Sequence, residues 1–188
     1  MKIFAKKWLL PLIVLCIVAI FLNLSYKSNN QNNKDMNTIK VGDKIPEFTL
    51  PDQNGTLFDI KSVSGNKKLV IYFYPKDDSP GCTKEACHFR DLYEVFNETD
   101  AVIIGISGQS VESHKKFAVK YRLSFTLLSD QGNKIRKLFG VPTNTFGLLP
   151  GRVTYVADRE GKVVYIFNSQ IQAERHVDEA LKILKELK

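Results

Sequence analysis

Cysteine is scarce in this chain, with three residues in 188. That is too few for a small disulfide-scaffolded domain. No internal repeat is visible. Acidic residues are almost missing from the first forty positions, which hold six lysines (Lys2, Lys6, Lys7, Lys27, Lys34, Lys40) and one acid, Asp35. The net charge of +7 therefore divides into +5 for residues 1–40 and +2 for the rest. A basic nucleic-acid-binding surface on the remaining chain is not supported. What is present is a balance of 44% hydrophobic and 25% charged residues. This suits one globular domain with an extension, and excludes wholesale disorder, a collagen-like repeat and a multi-pass membrane protein.

The extension comes first. Residues 8–26 are almost wholly apolar and follow three lysines. As a helix they would span about 28 Å, close to the thickness of a bilayer's hydrocarbon core. No small-x-small cleavage site follows, so residues 1–26 read as an uncleaved signal anchor, with a cleaved signal peptide as the alternative. The positive flank would keep the N-terminus cytoplasmic and place the domain outside the cytoplasm, in a periplasm or an organelle lumen. Cys16 then sits in lipid as a small apolar residue. Residues 27–40, rich in Asn and Lys, read as a flexible linker. The domain begins at residue 41.

Within residues 41–188 the hydrophobic pattern is that of an α/β protein. Leu69–Tyr74 and Ala101–Ile106 are unbroken apolar runs, as in strands covered on both faces. Cys82–Glu98 has Ala86, Phe89, Tyr93 and Phe96 at helical spacing. Ser110–Tyr121, Asn133–Phe139 and Glu174–Leu187 are further helices, and Thr126–Ser129 is a short strand. Val153–Ala157 and Val163–Phe167 form a hairpin around Asp158–Gly161. Another hairpin is expected around Asp52–Gly55. The expected fold is a mixed sheet with helices on both faces.

Chemistry concentrates in Tyr72–Asp91. A buried strand ends at Pro75, a polar loop follows, and Cys82 lies in the first turn of a helix. There the macrodipole and unpaired N–H groups favour thiolate. Cys87 is five residues on, so the two Cα atoms of an intact helix are about 8.7 Å apart. A disulfide needs less than about 7 Å. The pair is either two unrelated thiols or a redox switch coupled to unwinding, and spacing alone does not choose. Glu85 and Arg90 read as solvated helix charges, and Asp77 and Asp78 as turn residues. His88, His114 and His176 have no partner at ligand spacing, and no metal site is expected.

Pro75-Lys-Asp-Asp-Ser79-Pro-Gly-Cys82 resembles the peroxiredoxin signature Pro-x-x-x-Thr/Ser-x-x-Cys. The second cysteine five positions later is similar to the peroxiredoxin Q (bacterioferritin comigratory protein) subfamily, especially its plant and cyanobacterial branch. Gly105-Ile-Ser107, Phe125–Asp130 and Gly147–Val156 match in order and spacing, and the resemblance covers residues 39–188. It implies a thioredoxin-like fold with an added N-terminal β-hairpin. It further implies that Cys82 is the peroxidatic cysteine, oxidised by hydrogen peroxide or an organic hydroperoxide to a sulfenic acid. Cys87 would resolve it as an intramolecular disulfide, which a thioredoxin-type dithiol reduces. By the same resemblance Ser79 hydrogen-bonds peroxide and thiolate, Pro75 shields the pocket, and Arg152 stabilises the thiolate. No cofactor and no second subunit are required, so a monomer is expected. Two alternatives are a tethered thiol–disulfide oxidoreductase acting on protein cysteines, which would want C-x-x-C, and a metal chaperone, which would want C-x3-C and a partnering histidine.

Overall fold

Strand β3 (Lys68–Phe73) is buried at every position, because it is the centre of a five-stranded sheet. In the computed structural model, which describes residues 38–144 and 149–187, the sheet order is β5-β4-β3-β8-β9. The elements before β3 are β1 (Thr49–Pro51) and β2 (Leu57–Asp59), an antiparallel hairpin. After it come helix α1 (Pro80–Asp91), α2 (Tyr93–Glu98), β4 (Ala101–Ser107), α3 (Val111–Tyr121) and β5 (Thr126–Ser129). Then follow α4 (Lys134–Leu138), β6 (Thr143–Asn144), β7 (Leu149–Pro150), β8 (Val153–Ala157), β9 (Val163–Asn168) and α5 (Ala173–Glu186). Strands β3, β4 and β5 are parallel, and β8 and β9 are antiparallel to their neighbours.

Alternation along β3 divides the core in two. Val70, Tyr72 and Tyr74 face a layer built from Cys82, Ala86 and Phe89 of α1, Phe96 of α2, Phe117 of α3 and Val177 of α5. Leu69, Ile71 and Phe73 face the opposite layer, with Phe48, Ile60, Ile135 and Phe139. The mixed sheet with helices on both faces is as expected. Gly105 in β4 is forced by packing: a Cβ there would lie 2.7 Å from Leu127 and from the ring of Tyr72. Lys68 is buried yet satisfied, because its ammonium donates to the carbonyl of Leu187 at 2.6 Å, at the negative end of α5.

The structure differs from the sequence reading at the first helix. Cys82–Glu98 is not one helix but two, interrupted at Leu92, whose φ −102 and ψ 10 leave the helical region. The break brings Phe89 and Phe96 within 5.6 Å of each other in the same layer. Strands β6 and β7 are a small addition that no hydrophobic pattern announces. Residues 38–188 form one unit, and Ile39 within it donates its N–H to the carbonyl of Phe139. The membrane segment expected at residues 8–26 and the linker up to residue 37 lie outside the described residues.

Candidate active site

The sequence Ser79-Pro-Gly-Cys82 sets the site's first element. Ser79 is the N-cap residue of α1, in extended conformation, and Pro80 begins the helix where its missing N–H costs nothing. Cys82 is the third residue of the helix and is 1% exposed. Its sulfur accepts a hydrogen bond of 3.2 Å from Nη2 of Arg152, at the entry to β8. Arg152 is itself buried, and its Nη1 pairs with Oε2 of Glu85, one turn along α1 and fully buried. One guanidinium thus faces two groups that can each be anionic.

Burial decides how that charge is shared. It opposes the charge on Arg152, but Glu85 and Cys82 favour it more, and Arg152 stays a cation. Burial also opposes the charge on Glu85, and there it outweighs the attraction of Arg152, pushing the carboxyl up to about 8. Oε1 of Glu85 has no hydrogen-bond partner and lies 3.8 Å from Nδ1 of His176. His176 is held on both sides, with Nδ1 2.8 Å from the Thr154 hydroxyl and Nε2 donating to the carbonyl of Ser169 at 2.8 Å. Burial pulls its pKa down to about 4, so it is neutral near pH 7. Glu85 and the Cys82 sulfur thus share one guanidinium.

A second buried arginine braces the frame. Arg136 of α4 donates to the carbonyl of Gly151 and to that of Tyr74, each at 2.8 Å. It thereby ties the residue before Arg152 to the end of β3. Burial lowers its pKa to about 10, which leaves it charged.

The predicted residues are only partly brought together. Cys82 and Arg152 touch. Pro75 is half-buried in the loop that leads into α1, and the hydroxyl of Ser79 in the same loop donates to the carbonyl of Lys76 at 3.0 Å. Cys87 is half-buried on the continuous helix α1, against Arg90, and both thiols are free. Four residues given no role from the sequence are buried: Glu85, His176, His114 and Asp77. Glu85 was legible, because Cys82, Glu85, Ala86 and Phe89 occupy positions i, i+3, i+4 and i+7 of one inward face. The two histidines carried the same signal, His114 lying three before Phe117 and four before Ala118, and His176 four before Ala180. Asp77, read as a turn residue, is 5% exposed and accepts from Tyr74, Ser113 and His114.

Residues 41–166 match the AhpC/TSA family. The chain is 52% identical over 167 residues to the chloroplastic peroxiredoxin Q of Sedum lineare, covering 87% of this chain and 89% of that one. It is 56% identical over 147 residues to the chloroplastic peroxiredoxin Q of Arabidopsis thaliana, covering 78% and 68%. Among solved structures it is similar to the peroxidoxin BcpB of Mycobacterium tuberculosis, with a TM-score of 0.74, 39% identity and coverage of 80% and 99%. It is similar also to peroxiredoxin Q of Xanthomonas campestris, with a TM-score of 0.67, 35% identity and coverage of 74% and 90%.

These findings correct the expected location. The plant relatives are chloroplastic proteins, which contradicts a membrane-anchored domain outside the cytoplasm. Among the described residues no helix is long and apolar enough to cross a membrane. The expectation rested on the hydropathy of residues 8–26, their lysine flank and the lack of a cleavage site, and an apolar run after lysines is common to anchors and to segments that are not anchors. The sheet, its flanking helices and the N-terminal hairpin are the thioredoxin-like peroxiredoxin fold, with a buried cysteine at a helix start held by an arginine. The chain belongs to the AhpC/TSA family and, within it, to the peroxidases of the peroxiredoxin Q type.

Proposed function

We propose that this peroxidase reduces hydrogen peroxide and organic hydroperoxides at Cys82, with Cys87 as resolving residue and a thioredoxin-type dithiol as reductant. The observation that carries the reading is the 3.2 Å hydrogen bond from Arg152 to the Cys82 sulfur in a buried site. The Cys82 thiolate attacks one peroxide oxygen. An S–O bond forms, the O–O bond breaks, and the departing oxygen leaves as water or an alcohol after taking a proton. The charge that develops on it is met by the fixed guanidinium of Arg152. Pro75 shields the pocket from water. The hydroxyl of Ser79 turns from the carbonyl of Lys76 to bond the peroxide.

The sulfenic acid is then attacked by Cys87. An S–S bond forms and the oxygen leaves as water. With both cysteines on one helix, this step requires the first turns of α1 to unwind. The dithiol reductant restores the two thiols by exchange. All bonds form within one chain, so it acts as a monomer. The X. campestris bacterioferritin comigratory protein, 34% identical to this chain, has trapped intermediate and ligand complexes that bear on its alkyl peroxide reduction activity, and this supports the substrate class. A protein disulfide as substrate is disfavoured, since Cys82 is 1% exposed.

Peroxide consumption by the full chain tests the reading, with a thioredoxin system, a monothiol or no reductant. Sustained turnover is expected with the dithiol and not with the Cys82→Ser variant. Equal turnover with the monothiol would reject the reductant, and activity in Cys82→Ser would reject the site.

A further inference from the structure

The loop that carries Pro75 and Ser79 is held by a buried polar cluster to which the chemistry above assigns nothing. Asp77 is 5% exposed and His114 is fully buried. One carboxylate oxygen of Asp77 accepts from the Tyr74 hydroxyl at 2.8 Å. The other accepts from the Ser113 hydroxyl at 2.6 Å and from Nδ1 of His114 at 3.0 Å. Nε2 of His114 lies 3.2 Å from the carbonyl oxygen of Leu128 in β5. Nδ1 also lies 3.2 Å from the Tyr74 hydroxyl, so the ring is held at both nitrogens. The next residue, Asp78, adopts φ 56 and accepts from Lys120 of α3 at 2.7 Å. Two successive carboxylates thus fasten this loop to α3.

We propose that Asp77 and His114 are a positioning pair for the peroxide step. They hold residues 75–79 against α3 and β5, so that Pro75 and Ser79 stay over Cys82 when peroxide enters. The proposal rests on the reading of Pro75 and Ser79 above. A carboxylate buried this deeply is costly unless it is paired and hydrogen-bonded. Burial opposes the charge on Asp77, but the bonds from His114, Ser113 and Tyr74 outweigh it and hold its pKa below the usual range. Downstream of the cysteines, Nε2 of His88 lies 2.7 Å from Asp178 of α5, and Arg90 donates to the carbonyl of Tyr121. The unwinding needed for the disulfide is bracketed between these two sets of ties. The loop can therefore remain in place while α1 opens.

The test separates the two chemical steps. In rapid-quench mass spectrometry, sulfenic acid formation and disulfide formation are timed in the full chain, in Asp77→Asn and in His114→Gln. A fall of about tenfold in the peroxide step is expected in both variants, with the disulfide step changed less than threefold. A variant that only destabilised the fold would slow both steps alike, and that outcome, or no change in either step, would overturn the proposal. Ser113→Ala keeps the Asp77–His114 hydrogen bond and is expected to slow the peroxide step less, which keeps the test decisive where Asp77→Asn does not fold. A wild type that forms no disulfide at all would instead refute the proposed function.

Discussion

Replacing Glu85 with Gln tests how charge is shared around Cys82. The carboxyl ionises at its usual 4.5 in the unfolded chain and at about 8 in the fold, because burial outweighs the attraction of Arg152. Between those values the folded protein holds a proton that the unfolded chain releases. Stability from this group is therefore complete below pH 4.5 and is lost as pH rises through about 8. At about 1.4 kcal/mol per pH unit the loss comes to roughly 5 kcal/mol at most. Gln keeps the shape and an acceptor for Arg152, but has no proton to release. Urea unfolding of the reduced wild type and of Glu85→Gln, from pH 4 to pH 9, is expected to show the wild-type curve falling relative to the variant across that window. Parallel curves would mean that Glu85 is an ordinary carboxylate locked to Arg152, and would refute the reasoning.

Other expectations follow from the same geometry. In Glu85→Gln, stability is expected to rise with pH from about 4 to 6.5, because burial holds His176 neutral at a pKa of about 4; a flat curve from calorimetry or urea melts would contradict this. Glu85→Ala removes the acceptor that the buried Arg152 guanidinium meets and is expected to cost about 1–3 kcal/mol in urea unfolding, more than Gln, which keeps an acceptor. Gly105→Ala drives a methyl group to 2.7 Å from Tyr72 and Leu127, and a loss of about 1–3 kcal/mol is expected in thermal melts. Unchanged melting in that variant would mean that the sheet yields there.

The sheet was readable because burial on both faces leaves an unbroken apolar run, as in Leu69–Tyr74, and because Ala86 and Phe89 keep helical spacing with Cys82. The site was readable in part: the position of Cys82 at a helix start follows from Pro80 and the loop before it. The contact of Arg152 with Cys82 spans 70 positions and has no local signal. The same is true of Asp77 with His114, 37 apart. A single His or Asp looks the same in sequence whether it meets water or a buried partner, since the partner is set by topology. Glu85 is the instructive case. Its residue type suggested solvent, while its spacing from Cys82 and Phe89 placed it inside, and the spacing was the better guide. The break at Leu92 was hidden for the opposite reason, because the apolar period runs on through it.

Disulfide mapping after a single oxidation tests the Cys82–Cys87 cycle itself. One equivalent of hydrogen peroxide is added to the reduced full chain, with Cys82→Ser and Cys87→Ser beside it, and intact mass and cysteine-containing peptides are recorded. Peptide mapping keeps Cys16 apart from the other two. Loss of two hydrogens as a Cys82–Cys87 bond is expected in the wild type, and a trapped sulfenic acid at Cys82 in Cys87→Ser. A wild type that stays reduced while peroxide persists, or a Cys82→Ser protein that still consumes it, would contradict the account.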